Sequence, residues 1–338
     1  MTATFSPQGE RLLLGNRFGT IQLWDVPTKT LLTTWQVGAT KIYQLKFSPD
    51  GQTVGVASGD GSVRLYALPT GQLLRTWQGH TREAGDLVFS PDGQRIYSSG
   101  FDGLINGWEI AKEQPIFQQQ LLLSQGGAIA LDYAPNGKFL AVGYEQAAIL
   151  WDRVSQQPRF VLRGQTDAIW GVRFSPDSQL LATASWDGTV NLWDTETGQE
   201  RAHLTGHSAS VTAVAFAPDG KLLATGSHDH TIKLWDTRTG NLVRTLTGPG
   251  DQVLTVAFSP DGQRLAAAGA DTRVYVFEVS SGQELLTLRG HTDEVWSLVF
   301  APDGRTLYSG SWDKTVRIWR TASGMTTTQT PRTLTLTN

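Results

Sequence analysis

The sequence predicts an all-β fold of eight four-stranded sheets, and three observations predict it. An aromatic residue recurs every 42 or 43 residues along the chain. A Phe-Ser-Pro-Asp-Gly turn or a close variant precedes each copy. Short β-branched and small-residue strands separate the turns, with no helical periodicity. The recurring aromatics are Trp24, Tyr66, Trp108, Trp151, Trp193, Trp235, Phe277 and Trp319.

Each repeat accounts for four antiparallel strands. In the copy at residues 180–194, a small-residue strand leads through an Asp-Gly turn into a strand that ends at Trp193. A first strand precedes this pair, and an outer strand follows a second turn, as after Thr239-Gly240. One such sheet cannot bury both faces, whereas eight arranged radially can. The sequence therefore predicts a single β-propeller over residues 1–330, with a seven-bladed ring as the alternative.

Closure of the predicted ring depends on the last repeat. The outer strand of the eighth blade is expected to come from the C-terminal tail, at residues 326–330 or 333–337. The tail at 331–338 is therefore a candidate edge strand. We expect the ring to be sealed by packing between the first and eighth blades.

Composition excludes several classes of function. The 28 basic and 31 acidic residues give a net charge of -3, without the basic footprint of a nucleic-acid binder. No apolar run reaches the length of a membrane span, which argues against membrane insertion. The absence of cysteine excludes disulfides and thiolate chemistry and predicts a cytoplasmic protein. The regular repeats suggest a bacterial protein, and we expect a monomer on its own.

The strand ends carry a family resemblance. Trp-Asp closes the strand at Trp24, Trp151, Trp193 and Trp235, and Gly-His pairs occur at His80, His207 and His291. These motifs resemble those of WD-repeat β-propellers, and the resemblance covers almost the whole chain. It implies a protein-interaction scaffold, adaptor or assembly factor without enzymatic activity.

The resemblance also implies a hydrogen-bonded group of His, Ser or Thr, Asp and Trp within a blade. Only two repeats match it in full, and they supply His207, Ser227, Asp229, Trp235 and His291, Ser311, Asp313, Trp319. The fifth repeat has Gln165 where the histidine is expected. Phe18 and Glu145 replace the turn aspartate in the first and fourth repeats, so those two blades are expected to be less rigid.

Four tryptophans fall at two further repeat positions and form the candidate partner site. Trp170 and Trp296 lie near the start of a first strand, and Trp186 and Trp312 immediately precede a turn aspartate. In a propeller both positions lie at the same end, the top face by family resemblance. Other residues at these positions are Tyr43, Phe101, Tyr144 and His228, with Glu83 and Glu294 at the rim.

Two interpretations of these aromatics compete. Exposed Trp and Tyr are enriched as anchors of protein interfaces, so the sequence predicts docking of a protein or peptide. A cationic side chain held between aromatic rings is a special case. The alternative is that each tryptophan packs on the neighbouring blade and widens the core.

Catalytic and metal chemistry have weaker support. His228, Asp229 and His230 are the best metal-like cluster, but zinc needs three or four converging ligands. We therefore predict no catalytic residue, no metal and no cofactor. The alternative function is a propeller enzyme or cofactor-binding protein that uses the central channel, which an absorbance spectrum and metal analysis would reveal.

Overall fold

The computed structural model describes residues 2–121, 130–321 and 332–335. All regular secondary structure in these described residues is β-strand, and the strands form eight four-stranded antiparallel sheets. The predicted fold class is therefore confirmed: the chain is an eight-bladed β-propeller, and the seven-bladed alternative is wrong. None of the described residues forms a helix with the length and apolarity that crossing a membrane requires.

The chain divides into two compact units, and the first comprises the described residues up to 161. It holds the first four sheets, each with its strands in sequence order. The strands are β1 Thr2–Phe5, β2 Arg11–Gly15, β3 Thr20–Asp25, β4 Thr30–Gln36; β5 Ile42–Phe47, β6 Thr53–Ser58, β7 Ser62–Ala67, β8 Gln72–Gln78; β9 Ala84–Phe89, β10 Arg95–Gly100, β11 Leu104–Glu109, β12 Phe117–Gln120; and β13 Ala130–Tyr133, β14 Phe139–Tyr144, β15 Ala147–Asp152, β16 Gln157–Arg163.

The second unit comprises the described residues from 162 to 335, and the division falls within β16. It holds the fifth to eighth sheets. The strands are β17 Ile169–Phe174, β18 Leu180–Ser185, β19 Val190–Asp194, β20 Glu200–Leu204; β21 Val211–Phe216, β22 Leu222–Ser227, β23 Ile232–Asp236, β24 Leu242–Leu246; β25 Val253–Phe258, β26 Arg264–Gly269, β27 Val274–Glu278, β28 Glu284–Leu288; and β29 Val295–Phe300, β30 Thr306–Ser311, β31 Thr315–Arg320, β32 Arg332–Thr335.

The C-terminal tail supplies the outer strand of the eighth sheet. β32 pairs antiparallel with β31, and Leu334 lies opposite Val316. Residues 332–335 therefore belong to the eighth sheet and overlap the second of the two predicted segments. The first predicted segment, 326–330, lies outside the described residues.

Neighbouring sheets within each unit pack face to face. Each interface buries aliphatic and aromatic side chains from two consecutive sheets, as where Ala224 and Leu234 of the sixth sheet meet Val253 and Phe258 of the seventh. The first strands of successive sheets also contact one another. This packing removes from water the apolar face that a single sheet would expose.

A chain of polar contacts crosses the first strands of the first unit. Thr2 Oγ1 donates to Gln44 Oε1 at 3.1 Å, and Gln44 Nε2 donates to Asp86 Oδ1 at 3.1 Å. Asp86 Oδ2 then accepts the backbone N–H of Leu131, also at 3.1 Å. Asp86 is 8% exposed, so its carboxylate depends on these donors and on Leu87 N–H in place of water.

Candidate functional site

Two stacked tryptophan pairs lie in the fifth and eighth sheets. Trp170 and Trp186 have ring centroids 5.1 Å apart and planes at 26°, and Trp296 and Trp312 have centroids 5.1 Å apart and planes at 17°. The outer ring of each pair is exposed, at 42% for Trp186 and 41% for Trp312. The inner rings are half-buried. Each pair therefore presents a large apolar ring that is supported from beneath by a second ring.

A β-bulge aims the inner ring of each pair. In β17, Ile169 lies opposite Ser185 and Gly171 opposite Ala184, so Trp170 is an extra residue without a partner in β18. In β29, Trp296 is the extra residue in the same way. A bulge turns its extra side chain away from the regular alternation of the strand. This turn brings Trp170 and Trp296 to the strand end, beside the second member of each pair.

The turn after the second strand fixes the outer ring. In the fifth sheet, Trp186 N–H donates to Ala168 O at 2.9 Å, and Ser185 Oγ donates to Asp167 O at 3.0 Å. Asp187 Oδ1 then accepts Thr189 N–H at 2.8 Å. The eighth sheet repeats these contacts, and there Trp312 N–H donates a hydrogen bond to Glu294 O at 2.9 Å. The exposed tryptophans therefore stand on anchored backbone, so ordering them on binding costs little entropy.

A third aromatic contact joins the second and third sheets in the first unit. Tyr43, the bulged residue of β5, lies 5.6 Å from Phe101 between ring centroids, with planes at 54°. The ammonium of Lys41 lies 4.2 Å from the centroid of Tyr43. Burial lowers the pKa of Lys41, while the nearby charge of Glu83 opposes that shift. The first unit therefore carries its own aromatic contact with a charged border.

The remaining predicted site residues have different surroundings. Glu294 accepts a hydrogen bond from Trp296 Nε1 at 2.9 Å, so it orients a tryptophan as well as lying at the border. His228, at the position of Trp186 in the sixth sheet, is half-buried and has no stacked partner among the described residues. Tyr144 packs against the core between the third and fourth sheets. The structure thus pairs six predicted aromatics and leaves Tyr144 and His228 outside the pairs.

The chain matches the models of two known families. The family model described as the IFT122 first β-propeller matches residues 1–253. Two copies of the WD domain, G-beta repeat, match residues 240–278 and 282–320. The chain belongs to the IFT122 first β-propeller family. It is therefore a WD-repeat propeller, and propellers of this kind are generally protein-interaction scaffolds that bind protein partners.

Solved structures show the same architecture. The crystal structure of the computationally designed Ika8 protein is 28% identical in sequence, with a TM-score of 0.83, and the match covers 94% of this chain and 95% of that one. As many as 1880 chains of solved structures match, so structural likeness identifies the fold and not a partner. No curated protein matches the chain.

The histidine networks of this propeller differ from the predicted ones in their hydroxyl group. His207 Nε2 lies 2.7 Å from Thr225 Oγ1, and Trp235 Nε1 donates to the same oxygen at 2.9 Å. His207 Nδ1 lies 2.8 Å from Asp229 Oδ2. Ser227 instead donates to Ala209 O at 3.0 Å and accepts Asp229 N–H at 3.0 Å. The assignment of Ser227 to the network was therefore wrong, because the serine ties the turn to the preceding loop.

The eighth sheet needs the same correction. Ser309 Oγ lies 2.7 Å from His291 Nε2 and accepts Trp319 Nε1 at 2.7 Å. His291 Nδ1 lies 2.7 Å from Asp313 Oδ2, as predicted. Ser311 donates to Asp293 O at 2.8 Å, so it belongs to the turn that carries Trp312.

A third network lies in the third sheet, where none was predicted. His80 Nδ1 is 3.1 Å from Asp102 Oδ1, and His80 Nε2 is 2.6 Å from Ser98 Oγ. The sequence carries this signal at Ser98, two residues before Gly100, which occupies the position equivalent to Ser227 and Ser311. The prediction that only two repeats match in full was therefore wrong.

Gln165 replaces the histidine of the fifth sheet without loss of the network. Its Oε1 accepts from Thr183 Oγ1 at 2.7 Å, and its Nε2 donates to Thr183 O and Thr189 O at 3.1 Å each. Trp193 Nε1 donates to Thr183 Oγ1 at 3.0 Å. A neutral amide therefore fills the position of the imidazole and keeps the tryptophan partnered.

The electrostatics of the networks indicate a neutral histidine. Burial lowers the pKa of His207, against the opposing hydrogen bond and charge of Asp229. Burial raises the pKa of Asp229, but hydrogen bonds from Thr231 and His207 outweigh it and lower that pKa to about 2. The carboxylate therefore accepts from Nδ1–H, and Nε2 accepts from the hydroxyl.

The metal-like cluster does not converge. His230 lies 3.8 Å from Asp251 on the surface, whereas Asp229 is bound to His207 and the adjacent turn. Within residues 2–121, 130–321 and 332–335, no three His, Cys, Asp or Glu side chains come together as metal ligands would.

Proposed function

We propose that this propeller is a non-enzymatic scaffold that docks a protein or peptide partner on the stacked tryptophan pairs. The observation that carries the proposal is the repetition of one arrangement, with a half-buried inner ring under an outer ring exposed by 41–42%, in two sheets of the second unit. A large exposed aromatic on fixed backbone is the side chain that most often anchors an interface. We also propose that the protein acts in the cytoplasm, since a cysteine-free chain needs no oxidising compartment.

The buried state of the network hydroxyls supports a non-enzymatic role. His291 with Asp313 and Ser309, and the corresponding group at His80, have the connectivity of a hydrolytic triad. A nucleophilic serine must be accessible to its substrate. Ser309 and Ser98 are fully buried at 0% exposure, and Trp319 Nε1 already donates to the Ser309 oxygen. These groups therefore stabilise their sheets.

The inner and outer rings of each tryptophan pair have different roles, and this difference decides which residues to replace. Replacing Trp170 or Trp296 would remove the support under an exposed ring, whereas replacing Trp186 or Trp312 removes the exposed ring alone. We therefore choose the outer rings for the test, because their loss leaves the bulges and the buried core in place.

The test is affinity purification of the tagged protein from its own host, with mass spectrometry, beside the double variant Trp186→Ala, Trp312→Ala. Loss of one interface anchor typically weakens binding about tenfold or more, so the partner should be lost from the double variant. Replacement of all four tryptophans should abolish capture.

The matched control is Leu242→Ala, Val243→Ala, which removes two exposed apolar side chains from β24 in the same unit. This control should retain the partner. Once the partner is identified, hydrogen exchange should show protection at residues 167–170, 185–188, 293–296 and 311–314. Equal recovery with the tryptophan double variant, or protection elsewhere on the chain, would contradict the proposed surface.

A further inference from the structure

A pocket lies between the third and fourth sheets. It has an open volume of about 320 Å³, part of which is continuous with solvent. Tyr97, Phe117 and Leu140 form apolar walls, and Tyr133, Trp151 and Arg153 also line it. The tryptophan stands edge to face with Phe117, at 5.0 Å between centroids and 76° between planes.

Three of the residues that line this pocket carry a buried polar atom without a hydrogen-bond partner in the described part of the chain. These atoms are the hydroxyl oxygen of Tyr133, Nε1 of Trp151 and Nε of Arg153. Tyr133 is 8% exposed and Trp151 is 5% exposed, and Nε of Arg153 is buried although that side chain is 31% exposed, so bulk water does not satisfy these three atoms. An unpaired buried polar group costs about 1–3 kcal/mol. Three such donors on residues around one cavity would therefore stabilise a bound hydrogen-bond acceptor.

Tyr133 and Arg153 are departures specific to the fourth repeat. Where Tyr133 stands, the other seven repeats have phenylalanine. Where Arg153 stands, they have threonine or an aliphatic residue. Trp151 lacks its acceptor because Ala141 occupies the place of Thr183, Thr225 and Ser309, the hydroxyls that receive the tryptophan in other sheets.

The donor chemistry defines what would bind. Nε1–H and Nε–H can only donate, and burial raises the pKa of Tyr133, which keeps its hydroxyl protonated as a donor. Arg153 Nη2 is bound to Asp92 at 2.7 Å, which leaves Nε–H for the pocket. Asp152 also lines the pocket, but its Oδ1 accepts the N–H groups of Val154 and Ser155.

We propose that this pocket binds a compact carboxylate, with Tyr133, Trp151 and Arg153 as its hydrogen-bond donors. A planar carboxylate has two oxygens and about four acceptor positions, enough for three donors. Much of the open volume is continuous with solvent, so the enclosed part has room for a group of a few atoms and not for a large cofactor. The site lies wholly within the first unit and is independent of the tryptophan pairs.

The test is a ligand-observed NMR titration of the whole protein with ¹³C-formate and with acetate. Wild type should give saturable binding. Tyr133→Phe restores the residue of the other repeats and should weaken binding about tenfold, the effect of losing one charge-assisted hydrogen bond. Tyr133→Phe combined with Arg153→Thr should give no saturable binding, with folding checked by thermal denaturation.

The matched control is Tyr66→Phe, a buried tyrosine of the second sheet that does not line the pocket, and it should bind as wild type does. A response that rises linearly without saturation would mean that the pocket holds ordered water only and would overturn the proposal. Unchanged affinity in Tyr133→Phe would overturn it as well. Displacement of formate by equimolar chloride would contradict the carboxylate assignment in favour of a general anion site.

Discussion

The fourth and sixth sheets share one repeat and differ in how they treat the same tryptophan. In the sixth sheet Trp235 donates to Thr225, which also meets the buried His207. In the fourth sheet alanine replaces that threonine, and Trp151 has no partner among the described residues. The backbone pairing is the same, since both tryptophans lie opposite a leucine of the second strand. A sheet of this family therefore tolerates loss of the network, and the freed polar group becomes available for another use.

Among the substitutions that test this comparison, Thr225→Val in the sixth sheet should have the largest effect on stability. Valine keeps the volume but leaves His207 Nε2 and Trp235 Nε1 unpaired in the core. Two unsatisfied buried groups should lower the free energy of opening by about 2–4 kcal/mol. Hydrogen exchange of the β22 and β23 amides measures that opening locally.

The control for this variant is Thr76→Val, an exposed threonine on the outer strand β8. It should change opening by less than about 0.5 kcal/mol. Equal effects from the two substitutions would mean that the network contributes nothing to stability.

His207→Gln should make the sixth sheet behave like the fifth, where Gln165 already fills this place. The folded pKa of His207 lies below its usual 6.5, so the unfolded chain takes up the proton first as the pH falls. Wild type therefore loses stability from pH 6.5 downward, and the glutamine variant should lose less over that range. The pH dependence of chemical denaturation between about pH 7.5 and 4.5 measures the difference.

The same variant, His207→Gln, also tests how stability depends on pH in the acidic range. The folded pKa of Asp229, about 2, is below its usual 3.8, so its contribution is present above 3.8 and is lost as the pH falls towards 2. Without His207 that pKa should move up and the loss should be smaller. His203→Gln, at an exposed histidine of β20, is the control and should follow wild type. Identical profiles for both variants would contradict the assignment of acid sensitivity to His207.

Trp151→Phe and Trp235→Phe should show the smallest difference. Both substitutions remove the same volume, but only Trp235 loses a hydrogen bond. We expect Trp151→Phe to cost about 1 kcal/mol less, measured as the opening free energy of the two third strands, β15 and β23. A larger cost at Trp151 would mean that its Nε1 is satisfied in solution.

Much of the fold could be predicted because the period of the repeat constrains it. The spacing of the aromatics and turns predicted eight four-stranded sheets, and the tail strand followed from counting the strands of the last repeat. Pairing register could not be predicted in this way. The bulges at Trp170 and Trp296 depend on which residues of the next strand lie opposite them, and the alternation of apolar and polar residues within one strand does not specify that pairing.

The hydrogen-bond partners within the histidine networks could not be predicted from the sequence. Thr225 and Ser227 point to the same face of β22 because they are two residues apart. Which of them meets His207 depends on how deeply the preceding loop inserts the imidazole, a tertiary property. The pocket at Tyr133 was also missed, because it forms only where the third and fourth sheets pack together, and the two substitutions at Tyr133 and Arg153 do not by themselves indicate a cavity.

The polar chain from Thr2 through Gln44 and Asp86 to Leu131 has a consequence for folding. In a repeat array, the coupling between neighbouring modules decides whether each one opens alone or all open together. Here, displacing β5 or β9 from its neighbour leaves the half-buried amide of Gln44 or the buried carboxylate of Asp86 without a partner. This series of hydrogen bonds therefore raises the coupling between modules without adding apolar area. The first four sheets should behave as one cooperative foldon, in which no internal module frays by itself.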